Sequence, residues 1–184
     1  MRRYLLIQVV LLFNTIFCFA QNNAITFSLQ ANGQFVSSQG ENNIIIKTSA
    51  DSCKLYKNLV SACFLYGVLN PNQVVATDGE NINMTPMTIW TPNAIWGDGH
   101  DRALLFNVRI KIVNGGITIY GPLFISMAHS SNMNVSYIDA ENMALYWGLY
   151  DKNGNVKKAE RLQYINDAVN KKLTQIIDMA LQHD

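Results

Sequence analysis

Three stretches of the sequence predict an α+β fold: a curved antiparallel sheet with two helices packed on one face. The first is residues 105–127, where Phe106, Val108, Ile110 and Ile112 alternate with Asn107, Arg109 and Lys111. Successive strand residues point to opposite sides, so this segment has one dry face and one wet face. The second stretch carries Leu55, Leu59, Ala62, Cys63 and Tyr66 at helical spacing, widened by Tyr56 and Val60. The third carries Leu162, Ile165, Val169, Leu173, Ile176, Ile177, Ala180 and Leu181. Two helices with one apolar stripe each and a sheet with one apolar face leave water by packing together.

The first twenty residues read as an export signal. Arg2 and Arg3 precede apolar runs over residues 4–13 and 16–19, and Ala20 meets the polar Gln21-Asn22-Asn23. Asn14-Thr15 interrupts the run, which argues against a spanning anchor. Phe17 stands before Cys18, where a lipidation motif needs a small residue. The expected cleavage is near Ala20, and residues 21–184 then form a single α+β domain, exported to the periplasm or beyond. No second apolar run is long enough to cross a membrane.

Within that domain, Ile25, Phe27 and Leu29 alternate and predict an edge strand or ordered arm. Ile44-Ile45-Ile46-Lys47 is a short β-branched strand. Ser49 or Asp51 can cap the first helix by accepting from its free N–H groups, and Gly67 with Asn70-Pro71 ends it. Cys53 and Cys63 stand ten residues apart on this helix, about 15 Å at 1.5 Å per residue. A disulfide needs Cα atoms within about 7 Å, so two free thiols are expected, with Cys63 buried.

Residues 73–84 predict a hairpin turning at Asp78-Gly79, with Val75 opposite Ile82. Residues 85–101 hold Pro86, Pro92, Gly97 and Gly99, and predict a long loop or distorted strand pair. In the central hairpin, Asn114-Gly115 favours a two-residue type I′ turn. That turn pairs Val113 with Gly116, Ile112 with Ile117, Lys111 with Thr118 and Ile110 with Ile119, so apolar meets apolar. A three-residue loop would scramble both faces. Pro122 cannot donate to a ladder, so the second arm bends near Gly121-Pro122. Residues 128–134 read as a polar turn, residues 135–138 as a short strand and residues 145–150 as extended. Asn153-Gly154 is a tight turn before the long C-terminal helix.

Composition narrows the functional classes. The formal charge is +1, and leaving out Arg2 and Arg3 makes it −1, which is no electrostatic footprint for nucleic acid. Charged residues are 15% of the chain, against roughly 25% in typical domains. Asparagine, serine and threonine supply much of the polar surface.

Several landmarks together resemble a family of small exported domains of unknown function, common in Bacteroidota and described as having a TBP-like fold. They are Ile44-Ile45-Ile46-Lys47 leading to Leu55-Tyr56-Lys57-Asn58, then Asn70-Pro71-Asn72-Gln73-Val74-Val75. The Ile110 to Gly116 hairpin and Leu149-Tyr150-Asp151-Lys152-Asn153-Gly154-Asn155-Val156 complete the set. The resemblance implies a sheet with helices on one face. It brings no activity, cofactor or site residues, and a TBP-like fold does not imply DNA binding.

Candidate sites are few. Trp90, Trp96, Asp98, His100 and Asp101 form the candidate ligand-binding loop. Trp90 and Trp96, with Trp147, could stack on a glycan, although closing the rim of the core is the commoner role for such residues. Asp98, His100 and Asp101 have metal-type chemistry, but no further His or Cys stands at ligand spacing, so no metal and no cofactor is expected. Ser126, His129 and Asp139 carry triad-type side chains without a nucleophile elbow. Arg109 and Lys111, with Tyr120 opposite Arg109, line the outer face of the central hairpin and could meet an anionic partner. The expected function is a non-enzymatic exported binding protein with an envelope or glycan partner. The alternative is carbohydrate binding or a small hydrolase activity using the Trp90–Asp101 loop.

Overall fold

The computed structural model describes residues 25–67, 74–97, 99–129, 135–137 and 148–182. The export signal, Asp98, Asp139 and Trp147 lie outside the described residues. The elements are β1 (Phe27–Leu29), β2 (Phe35–Ser37), β3 (Asn43–Lys47), α1 (Ser52–Ala62), β4 (Val74–Thr77), β5 (Asn81–Thr91) and α2 (Asn93–Trp96). They continue with β6 (Arg102–Val113), β7 (Gly116–Tyr120), β8 (Leu123–His129), β9 (Val135–Tyr137) and α3 (Ala159–Gln182).

The chain is α+β. Among the described residues, its main sheet has seven strands, ordered β3-β7-β6-β5-β4, with β8 pairing β6 and β9. Every pairing is antiparallel. β6 organises it. β5 runs along one side, and β7 followed by β8 runs along the other. The break between β7 and β8 falls at Gly121-Pro122, where the missing proline N–H was expected to end the ladder.

The central register is the predicted one: Val113 pairs Gly116, Ile112 pairs Ile117, Lys111 pairs Thr118 and Ile110 pairs Ile119. The turn type differs from the expected I′. Gly115 takes φ +79°, whereas Asp78 is the one non-glycine with positive φ among the described residues, so Asn114 stays right of that region. A single left-handed glycine at the third position is the type II arrangement.

Phe106, Val108, Ile110 and Ile112 are buried, as are Ile117 and Ile119 of β7 and Ile82 and Met84 of β5. The helices cover this face. Leu55, Leu59, Ala62 and Cys63 of the first helical segment, and Ile165, Val169, Leu173, Ile176, Ile177 and Ala180 of α3, join the same core. Asp51 caps α1 through a 2.9 Å bond from the Lys54 amide. Past Ala62 the helix widens into a π-turn over Cys63–Gly67, which rotates Tyr66 out of the stripe to 40% exposure. Both described thiols are free, Cys53 exposed and Cys63 buried.

Two open expectations are resolved and two are corrected. The N-terminal arm is a two-stranded hairpin, β1–β2, outside the main sheet. It lies on α3, where Asn170 both accepts from the Phe27 amide (2.8 Å) and donates to the Phe27 carbonyl (2.9 Å), and Asn166 accepts from the Leu29 amide (2.9 Å). Two helix carboxamides thus satisfy a strand edge that would otherwise pair with another strand. The Asp78-Gly79 hairpin has one more loop residue than expected, so Ala76 opposes Ile82 and Val75 opposes Asn83. The Asp78 carboxylate accepts from the amides of Glu80 and Asn81 and from the Asn81 side chain, and this pulls Glu80 into the loop. Residues 85–101 follow the distorted-strand alternative in their first part: β5 continues to Thr91, paired with β6 across an irregularity between Met84 and Met87, and the chain then forms α2. His129 is the last residue of β8, not part of a turn.

Candidate functional site

The helix-free face of the sheet carries the polar half of each strand. Asn83 alternates with buried Ile82 and Met84, Asn107 and Arg109 alternate with Phe106, Val108 and Ile110, and Tyr120 follows buried Ile119. Asn83 and Arg109 are direct cross-strand partners. The β6–β7 register carried one pair further sets Tyr120 beside Arg109, and the Arg109 guanidinium lies 3.7 Å from the Tyr120 ring centroid. A guanidinium over a ring is attracted by the ring's negative face while N–H groups remain for other partners.

These residues line an open cleft of about 360 Å³. Asn83, Asn107, Arg109 and Tyr120 come from the sheet, and Gln34 and Asn42 close the other side. The closing segment is held by backbone contacts: the Gly121 amide donates to the Asn42 carbonyl at 2.8 Å, and Gln34 bridges Leu123. Gly121 is required there because a Cβ would overlap the Phe35 carbonyl oxygen. The chain therefore breaks at Gly121-Pro122 where the N-terminal hairpin meets the sheet, and the cleft sits at that junction.

The cleft is rich in carboxamides. The Thr85 hydroxyl donates to the Asn107 side-chain carbonyl at 2.9 Å, which leaves the Asn107 NH₂ group for the cleft. The Gln34 carbonyl oxygen accepts from Asn32 at 3.4 Å, which leaves its NH₂ group likewise. Among the described residues, no carboxylate pairs with Arg109; the ion pair of this region is Lys111 with Glu80, at 3.9 Å. Among the described residues, the lining contains no Asp, Glu, His, Cys or Lys.

The residues singled out from the sequence are distributed differently. Trp96 is buried, and its indole N–H donates to the Thr91 hydroxyl at 2.7 Å. The guanidinium groups of Arg102 and Arg161 lie over its ring at 4.5 and 4.8 Å, and Arg161 also donates to the carbonyls of Ile95 and Trp96. Trp96 therefore joins α2 to α3. Trp90 is 51% exposed and, by strand alternation, faces away from Thr91 and hence from Trp96. Asp101 accepts from the Asn93 amide at 2.7 Å and so holds the start of α2. His100 is exposed. The structure brings Trp90 and Trp96 to opposite sides of β5, not to one platform. Among the described residues, no three His, Cys, Asp or Glu side chains gather as a metal site would need. Cys63, with burial pushing its thiol up to about 12, is not a nucleophile at neutral pH.

The sequence reading named Arg109 and Tyr120 but not the amides around them. Its usable signal was the polar side of each strand at that level, Asn83, Asn107 and Tyr120, together with the Gly121-Pro122 break.

Among the described residues, no helix is long and apolar enough to cross a membrane. No protein-family model matches the chain, and no curated protein matches it. Among solved structures, the chain is similar to a TBP-like protein from Parabacteroides distasonis, with 13% identity over 82% of this chain and 94% of that one and a TM-score of 0.47.

Proposed function

We propose that this chain is an exported, non-enzymatic binding protein whose ligand seat is the cleft on the helix-free sheet face. The observation that carries the reading is Arg109, stacked on Tyr120, facing a cleft of carboxamides and without a carboxylate partner among the described residues. Such a lining supplies hydrogen-bond donors and acceptors and one fixed charge. Among the described residues it supplies no carboxylate, imidazole or thiol for proton transfer or attack, which supports holding a ligand over transforming one. Export rests on Arg2, Arg3 and the apolar run that ends at Ala20. Sequencing the secreted chain tests that part: it should begin near Gln21, and a chain beginning at Met1 contradicts it.

The test of the cleft is NMR shift mapping with a mixed set of mono- and disaccharides and small carboxylic acids. Shifts should cluster on Asn83, Asn107, Arg109, Tyr120 and Gly121. A second reading seats a glycan, or a hydrolase site, on the Trp90–Asp101 loop, supported by the half-exposed indole of Trp90. Shifts confined to Trp90, His100 and Asp101 would favour it and contradict the cleft.

A further inference from the structure

We infer that the ligand class of this cleft is an acidic saccharide: one or two sugar rings bearing a carboxylate. The inference rests on the cleft being the ligand seat. Three features carry it.

The first is charge. Among the described residues, Arg109 is the one charged side chain in the lining, and no carboxylate offsets it. Its planar fork suits a carboxylate, which can accept two parallel N–H bonds. Its position over the Tyr120 ring restrains the side chain before any ligand arrives, which lowers the ordering cost of binding.

The second is the amide pattern. Asn83, Asn107, Asn42 and Gln34 surround that charge. A carboxamide offers both a donor and an acceptor, which is what the hydroxyls of a sugar ring require. Thr85 holds the carbonyl side of Asn107, so its NH₂ is oriented, not freely turning. A fatty or purely apolar ligand would strand these groups without partners, and each one that became buried would weaken binding.

The third is size and shape. A cleft of about 360 Å³ is at the small end of ligand sites and fits one or two rings, not an extended polymer. A metal-chelating or simple inorganic anion site would need several cationic or N–H groups converging on one point, whereas here one cation is spread among neutral amides.

The test is calorimetric titration of the protein with digalacturonate, and with galactobiose as the neutral twin of the same size. Acetate serves as the carboxylate without a ring. Digalacturonate should bind at least tenfold more tightly than either, with affinity falling as salt rises. Arg109→Gln should lose at least tenfold for digalacturonate and a much smaller factor for galactobiose, so that the gap between the two sugars closes. Asn107→Ala should weaken both sugars. Thermal melts of each variant should match the parent, so that loss of binding is not loss of fold. Equal affinity for the two disaccharides, no digalacturonate binding, or binding indifferent to Arg109→Gln overturns the inference. Neutral sugars that shift the cleft amides while digalacturonate does not would overturn the acidic class and leave the cleft as ligand seat. Sugars of both kinds that shift only the Trp90 region would overturn both.

Discussion

The two faces of β6 share one backbone and serve opposite ends. Phe106, Val108, Ile110 and Ile112 face the helices, and all are at most 3% exposed. Asn107, Arg109 and Lys111 face away, and Arg109 and Asn107 line the cleft. The covered face is held by apolar area, at roughly 25 cal/mol per Å² removed from water, with little demand on geometry beyond close packing. The outer face is held by little. Its groups touch through one cation–π contact, one hydroxyl–amide bond and one ion pair at 3.9 Å. Such exposed contacts are worth about 1 kcal/mol or less each. A face that contributes so little to folding is free to be shaped for a ligand.

The sharpest way to break this contrast is to cut the covered face. Phe106→Ala removes a fully buried ring that meets Phe35 and Phe124 edge-on, at centroid distances of 5.8 and 5.7 Å. It should cost about 3–5 kcal/mol in urea unfolding with no new contact to compensate. A cost below about 1 kcal/mol would mean that the ring is not core.

Next in size is the junction between hairpin and helix. Asn166→Ala leaves the Leu29 amide without its partner in a buried setting, for about 1–3 kcal/mol. Hydrogen exchange should then quicken at Leu29 while the β6–β7 amides stay protected. Uniform quickening would mean that the hairpin and the sheet open together.

Alkaline pH tests the covered face without mutation. Burial raises Cys63 from 9.0 to about 12, and burial also raises Tyr150, whose hydroxyl donates to the Leu29 carbonyl at 2.6 Å. Both groups are neutral in the fold. Below pH 9 neither costs stability. Above pH 9 the unfolded chain releases protons that the folded chain still holds, so stability falls between pH 9 and about 12. The urea midpoint should be flat from pH 7 to 9 and then decline. Cys63→Ala should remove the part of the decline that begins near pH 9.

The smallest stability effect belongs to the outer face. Arg109→Gln should change unfolding free energy by less than about 1 kcal/mol, the size of an exposed cation–π contact. A larger loss would make Arg109 a structural residue and weaken its assignment to a ligand.

The same contrast explains what could be read in advance. The register at Asn114-Gly115 was legible because a slip by one residue would turn the whole apolar set of β6 to water. The Asp78-Gly79 register was not, because short-range acceptance by one carboxylate decided it, and Val75 could be left exposed at little cost. The helical stripes were legible from spacing alone. The seat of β1 on α3 was hidden because Asn166 and Asn170 look like ordinary polar positions until a strand edge lies against them. Trp96 takes the commoner of the two roles weighed for it, at the rim of the core, but its partners were hidden: Thr91, Arg102 and Arg161 enclose it through contacts that no periodicity records. The cleft was half legible, since alternation put Arg109 and Tyr120 on one face but could not reveal that Gln34 and Asn42 return to close it.

The division of labour along β6 is tested most directly by a cysteine ladder. Asn107→Cys, Val108→Cys, Arg109→Cys and Ile110→Cys are made singly and treated with a soluble alkylating reagent. Labelling of each peptide is then followed by mass spectrometry, with Cys53 and Cys63 as internal references for exposed and buried thiols. Positions 107 and 109 should react at about the rate of Cys53. Positions 108 and 110 should stay as silent as Cys63 until urea unfolds the chain. Equal reactivity at all four positions, or the reverse alternation, would contradict the account.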